Sequence, residues 1–145
     1  PNVSGESRVI LNDHDRSEQV FILKQDTMNK VAIVVFAEEG SHEALGRVVN
    51  AMEFAKEMHE EGDDVKLVFD GAGVTFIPVL EDEEHDAHPL YSAVKPVTEG
   101  ACKFCSKAFG VINEVRKTDV NLLDDYDDHP SLRTYINDGY QVVTF

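Results

Sequence analysis

The chain has 145 residues, enough for one ordinary domain with a substantial core, and 42% of them are hydrophobic, which excludes wholesale disorder. Its 13 Lys and Arg stand against 28 Asp and Glu, and the formal net charge of −15 at pH 7 would repel phosphate backbones and anionic membrane surfaces. We therefore expect neither a nucleic-acid partner nor a membrane partner. The two cysteines are too few for a disulfide framework.

The first 29 residues alternate polar stretches with two short apolar runs, at residues 9–11 and 20–23. We predict an N-terminal arm or extra strand over residues 1–29 and an α/β domain over residues 30–145. The opening residues lack the charged and apolar regions of a secretory signal. A cytoplasmic location is therefore the expectation.

The strongest secondary-structure pattern begins after Lys30. Residues 31–36 form a continuous apolar, β-branched run, which is typical of a strand buried on both faces of a parallel sheet. Ser41 is a suitable N-cap for a helix predicted over residues 42–61, where apolar side chains recur at helical spacing. Residues 65–69 are the next predicted strand. This order, strand, long helix, strand, is that of a parallel crossover unit.

Shorter elements follow in the second half of the chain. In chain order we predict helical turns at 74–80, a short helix at 89–95, and a weak strand or extended link at 96–101. These are followed by a helix at 103–117 with a break at Gly110, a strand at 120–123, a last helix with Pro130 in its first turn, and a final strand at 141–145.

The two cysteines of the segment Cys102-Lys-Phe-Cys105 are the one credible candidate for a site of covalent chemistry. Unpaired N–H groups and the dipole at the start of a helix stabilise a thiolate, the nucleophilic form of cysteine. Lys103 and Lys107 would add positive charge, whereas the acidic stretches of the sequence would oppose the thiolate if they fold nearby. Cys105, one turn later, could resolve an oxidised or sulfurated Cys102 by forming a disulfide.

Two other interpretations of the cysteines remain open. They can be small buried side chains of a non-catalytic, oligomeric binding module. They can also bind zinc together with His85 and His88, because two His and two Cys supply four tetrahedral ligands at spacings that zinc sites use. Apart from that zinc alternative, we predict no metal and no cofactor.

Two loops are candidates for a ligand pocket. Gly71 and Gly73 follow a predicted strand as in a dinucleotide-binding turn, but the third glycine of that motif is missing. Glu38, Ser41 and His42 follow the first strand, where the loops of parallel sheets line ligand crevices. A tight turn, capping and solvation are the simpler explanations of these residues.

The segment Gly100-Ala-Cys-Lys-Phe-Cys-Ser-Lys-Ala-Phe-Gly-Val111 resembles the cysteine segment of the DsrE/DsrF-like family, particularly its YchN-like branch. The resemblance extends over residues 30–145 and includes the first strand, the long helix and the closing Val-Val-Thr-Phe. The reactive family cysteine stands eight positions before a Gly, as Cys102 stands before Gly110. This chain departs from the family in an acidic insertion at residues 81–88 and in Phe109, where the YchN-like segment has Arg.

The resemblance implies a fold, an assembly and an activity. The implied fold is a three-layer α/β/α sandwich on a five-stranded, mostly parallel sheet. The implied assembly is a homo-oligomer, a trimer or hexamer. The implied activity is that of a sulfur-relay protein that receives sulfane sulfur from a donor protein as a persulfide on Cys102 and passes it to an acceptor protein. Cys105 would be a resolving or modulating thiol.

Overall fold

The computed structural model describes residues 28–145 and places five parallel strands in one sheet flanked by helices, which confirms the predicted three-layer α/β/α sandwich. Within residues 28–145 the sheet has the order β4-β3-β2-β1-β5 and contains parallel pairs alone, where mostly parallel pairing was expected. The strands are β1 (Lys30–Val35), β2 (Asp64–Phe69), β3 (Thr98–Cys102), β4 (Leu122–Leu123) and β5 (Gln141–Thr144).

Six α-helices and two 3-10 helices connect these strands. The α-helices are α1 (His42–Glu60), α2 (Phe76–Leu80), α3 (His88–Val94), α4 (Lys103–Ala108), α5 (Ile112–Arg116) and α6 (Leu132–Asn137), and the 3-10 helices span Gly71–Thr75 and Lys95–Val97. None of the helices within residues 28–145 has the length and apolar character needed to cross a membrane.

The core lies between β1, β2 and α1. The predicted first strand is confirmed, and its last five residues are all buried, as its unbroken apolar sequence requires in a sheet covered on both faces. Helix α1 begins after Ser41, whose Oγ accepts a hydrogen bond from the Ala44 backbone N–H at 3.1 Å. Its buried stripe includes Val48 and Met52 and packs on the sheet.

The strand register brings the functional loops together. Phe69 at the end of β2 pairs with Val35 of β1 on one side and with Ala101 of β3 on the other. Asp70, directly after β2, and Cys102, the last residue of β3, therefore lie at the same edge of the sheet. In parallel sheets this carboxyl edge is where ligand and catalytic groups gather.

Several boundaries differ from the sequence predictions, whereas the break predicted at Gly110 is confirmed. The turns predicted from residue 74 begin earlier, as a 3-10 helix at Gly71, because the Asp70 side chain caps that helix. The helix predicted over 103–117 is interrupted at Gly110, which has φ +73°, as the predicted break required. Pro130 lies before α6 and not in its first turn, because Ser131 is the N-cap residue. The arm predicted at residues 1–29 falls, except for its last two residues, outside the described part of the chain.

Candidate functional site

Both cysteines lie at the junction of β3 with α4. Cys102 is the last residue of β3 and the N-cap of α4, and its Sγ accepts a hydrogen bond from the Cys105 backbone N–H at 3.4 Å. The predicted place of Cys102 at the start of a helix is therefore confirmed. Both thiols are free and buried, with 0% of Cys102 and 8% of Cys105 exposed.

His129 is the closest side-chain partner of Cys102. Its Nδ1 lies 3.2 Å from the Cys102 Sγ. The imidazole also packs against the Phe104 ring, with 4.7 Å between ring centroids and 32° between the planes. Phe104 is half exposed and His129 is partly buried, so this aromatic pair reaches from the protein surface to the Cys102 sulfur.

A tight turn over residues 126–129 places the His129 imidazole beside the Cys102 sulfur. Tyr126 and His129 exchange backbone hydrogen bonds of 2.9 and 2.8 Å, and the two residues between them, Asp127 and Asp128, have φ of 49° and 63°. Asp is among the residues that tolerate this left-handed conformation best. The turn is fastened to α4 because the Asp128 carbonyl accepts a hydrogen bond from the Phe104 N–H at 2.9 Å.

Asp70 completes the cluster from the neighbouring strand. It directly follows β2, is 8% exposed, and its Oδ1 accepts a hydrogen bond from the Gly71 N–H at 2.7 Å. The Cys105 thiol donates to the same oxygen at 3.5 Å. Asp70, Cys102, Cys105 and His129 can each offer one ligand atom such that all four atoms lie within 4.8 Å of one another.

Burial outweighs the features that were expected to favour a thiolate at Cys102. Burial is the main cause that raises the pKa of the Cys102 thiol far above its usual range, and the nearby Asp70 carboxylate adds to the effect. The hydrogen bond from the Cys105 N–H acts in the opposite direction but is outweighed. Burial likewise raises the pKa of Cys105. Both thiols are therefore protonated at neutral pH in this arrangement.

Lys103 and Lys107 do not support a thiolate as predicted. The Lys103 ammonium lies 3.0 Å from Asp124 and 3.3 Å from Asp128, and the Lys107 ammonium lies 3.5 Å from Asp128. Hydrogen bonding to Lys103 lowers the pKa of the Asp128 carboxyl. The acidic turn after β4 therefore takes up both positive charges, which the sequence alone had left undecided.

The predicted zinc partners His85 and His88 do not join the cysteines. The His85 Nδ1 accepts a hydrogen bond from the Ala87 N–H at 3.1 Å. The His88 Nδ1 lies 2.7 Å from the Leu80 carbonyl oxygen, and its Nε2 lies 3.1 Å from the Ser92 hydroxyl. These local contacts explain both residues, and His129 occupies the position beside the sulfur instead.

The predicted pocket residues divide into two groups. Glu38 and Ser41 line an open cavity of about 500 Å³ beside the end of β1, and His42 lines a smaller adjoining cavity of about 260 Å³. Gly71 and Gly73 are explained by packing. A Cβ on Gly73 would overlap the Val35 carbonyl oxygen, and Gly71 has φ +52°, so both glycines allow the 3-10 helix to lie against β1.

The fold and the site together define a parallel α/β protein with a buried Cys-Cys-His-Asp cluster at the carboxyl edge of its sheet. This chain is similar to the uncharacterized protein MJ0733 of Methanocaldococcus jannaschii, with 30% identity over 117 residues that cover 79% of this chain and 93% of that protein. The chain therefore belongs to the same family as that protein. No protein-family model matches the chain, and no solved structure matches it.

Proposed function

We propose that this chain is a thiol-based sulfur carrier that holds sulfane sulfur as a persulfide on Cys102. The observation that carries the proposal is the distance of 3.2 Å between the Cys102 Sγ and the His129 Nδ1. A nucleophilic side chain within hydrogen-bonding reach of a base is the arrangement that covalent catalysis requires. Cys105, whose backbone N–H already donates to that sulfur, places a second thiol one helical turn away.

The proposed loading step conserves atoms and electrons. The Cys102 sulfur attacks the outer sulfur of a donor R–S–SH, its proton passes to His129, and the donor S–S bond breaks as the Cys102 S–S bond forms. The leaving R–S⁻ then takes the proton from His129 and departs as R–SH. Attack by Cys105 on the loaded Cys102 would release the outer sulfur as hydrogen sulfide and leave a disulfide.

Loading requires that the Cys102 sulfur become accessible to the donor. The sulfur is fully buried, and two of its contacts come from the turn 126–129, namely the His129 ring and the Asp128 carbonyl oxygen at 3.8 Å. The sulfur thus has polar neighbours in this turn, while Cys102 otherwise belongs to the hydrophobic core. We propose that the donor displaces the Phe104 ring from the His129 imidazole, so that the sulfur becomes accessible while His129 stays beside it to accept the proton.

The family resemblance adds to this proposal. We propose membership of the DsrE/DsrF-like family on the match of the segment around Cys102 and Cys105, with a sulfur donor protein and a sulfur acceptor protein as partners. A reducing compartment such as the cytoplasm would keep both thiols in the free state that the fold holds.

Sulfur loading can be measured directly. Reduced, chelator-treated protein is incubated with a low-molecular-weight persulfide, and its intact mass is determined under non-reducing conditions. We expect one added sulfur atom per chain on wild type and on Cys105→Ala, and none on Cys102→Ala. The His129→Ala variant should load about 100-fold more slowly, in the range that general-base catalysis contributes.

The control for His129→Ala is His42→Ala, because His42 is exposed and lies outside the cluster. This variant should load at the wild-type rate. Absence of added sulfur on correctly folded wild type, or equal loading of Cys102→Ala, would contradict the proposal.

We further propose that the chain forms a homo-oligomer, a trimer or hexamer. Two aromatic rings on α4 and just after it, Phe104 and Phe109, are 50% and 42% exposed and offer apolar surface that a partner subunit would cover. Light scattering should give a mass that is three or six times the 16.2 kDa of the chain. A mass equal to one chain at micromolar concentration would contradict the proposed assembly.

A further inference from the structure

The cluster at the carboxyl edge brings together four side chains from three separate segments. Asp70 follows β2, Cys102 and Cys105 belong to the β3–α4 junction, and His129 lies in the turn after β4. Segments so far apart in the sequence are aligned by the sheet, since Phe69 pairs with Ala101 and Cys102 pairs with Leu123. The site is thus built by the tertiary fold and not by one local motif.

The donor atoms match what a zinc ion needs. Two thiolates, an imidazole nitrogen and a carboxylate oxygen are all established zinc ligands. With zinc–sulfur and zinc–nitrogen bonds of about 2.3 and 2.0 Å, tetrahedral ligand atoms lie roughly 3.5 Å from one another. The Cys102 Sγ–His129 Nδ1 distance is 3.2 Å and the Cys105 Sγ–Asp70 Oδ1 distance is 3.5 Å. These two distances are close to the tetrahedral value, and the other pairs of ligand atoms lie within 4.8 Å of one another.

The electrostatics of the site also favour a cation. Asp70 is 8% exposed, and no Lys, Arg or His within residues 28–145 forms an ion pair with it. A buried carboxylate without a cationic partner is costly, and a divalent ion would compensate it. The net charge of −15 further raises the local concentration of cations.

The surroundings hold the ligands in place, as the outer contacts of metal sites do. The Gly71 N–H fixes the Asp70 carboxylate at 2.7 Å, and the Phe104 ring packs on the His129 imidazole. The Cys105 N–H donates to the Cys102 sulfur at 3.4 Å, which stabilises a thiolate ligand.

We infer that Asp70, Cys102, Cys105 and His129 form a tetrahedral site for a thiophilic divalent cation, with zinc the expected occupant. Four protein ligands leave no open position, which is the pattern of structural and regulatory zinc sites and not of catalytic ones. The argument for a metal ion does not rest on the proposed sulfur chemistry, but the ion and the persulfide would compete for the same cysteine sulfurs.

Cobalt provides a direct spectroscopic test. Reduced full-length protein is stripped with a chelator and titrated anaerobically with Co²⁺. We expect saturation at one ion per chain, with the thiolate-to-cobalt charge-transfer absorption and the intense visible bands of tetrahedral coordination. Added Zn²⁺ should abolish both, because zinc binds such sites more tightly than cobalt.

Substitution assigns the ligands. His129→Ala and Asp70→Asn should each weaken binding by at least about tenfold. The matched controls His42→Ala and Asp125→Asn alter exposed residues outside the cluster and should bind as wild type does. The inference would be overturned if folded, reduced wild-type protein showed no cobalt–thiolate absorption. It would also be overturned if His129→Ala and Asp70→Asn both bound cobalt with unchanged affinity. Sulfur loading is measured on metal-free, chelator-treated protein. The outcome of the cobalt titration therefore does not decide whether the sulfur-carrier proposal is correct.

Discussion

Replacing Gly73 with Ala is expected to lower the free energy of unfolding by about 3 kcal/mol, at the upper end of the cost of overpacking a core. Gly73 is buried, and a Cβ at this position would overlap the Val35 carbonyl oxygen and lie 2.7 Å from the carbonyl carbon. Both are backbone atoms of β1 and cannot rotate away. Urea unfolding followed by circular dichroism measures the loss.

The Gly73→Ala substitution should also alter the position of Asp70 in the Cys-Cys-His-Asp cluster. The Val35 carbonyl accepts a hydrogen bond from the Asp70 N–H at 3.0 Å, so a displaced 3-10 helix would shift Asp70 as well. The matched control is Gly46→Ala in α1, where a Cβ meets nothing within 4 Å, and it should stabilise the protein by up to about 1 kcal/mol. Equal stability of Gly73→Ala and wild type would show that β1 and the 3-10 helix do not approach so closely.

Zinc and sulfur should exclude each other from the cluster. Metal-saturated protein is expected to take up persulfide sulfur at least about tenfold more slowly than chelator-treated protein, because a coordinated thiolate is no longer a free nucleophile and the ion occupies the position beside His129. Intact-mass analysis at matched times, with and without one equivalent of zinc, measures the difference.

A variant separates this competition from general inhibition by zinc. Asp70→Asn removes one metal ligand but neither the Cys102 thiol nor the His129 base, so its loading should be much less sensitive to zinc. Chelator added after zinc should restore the wild-type rate. If zinc-saturated wild-type protein took up persulfide sulfur at the undiminished rate, zinc binding and sulfur loading would not use the same cysteine sulfurs.

The elements that positioned the site were predictable because their sequence patterns are local. The continuous apolar run of β1, the helical spacing of α1 and the Ser41 cap each reflect physics that acts within a few residues. The place of Cys102 at the start of a helix followed from the same kind of pattern. Boundaries moved by a few residues where side-chain caps decide them, as Asp70 and Ser131 do.

The partners of Cys102 were not predictable from local patterns. Asp70 directly precedes the two glycines that were interpreted as a tight turn, and it was not predicted as a site residue. Its position directly after a buried strand was a usable signal, since Cys102 ends the neighbouring strand. His129 carried no signal of its own, because the left-handed turn that directs it follows from tertiary contacts with α4. The acidic segment after β4 pairs with Lys103 and so removes the support for a thiolate that was predicted from this residue.

The central claim is that the sulfur atom of Cys102, held against His129, is the one that accepts sulfur. The most direct measurement is peptide mapping by fragmentation mass spectrometry of wild-type protein loaded with persulfide and then alkylated. The account predicts the added sulfur on Cys102, and a Cys102–Cys105 disulfide where resolution has occurred. Added sulfur confined to Cys105, or the absence of any modification on either cysteine of the folded protein, would contradict it.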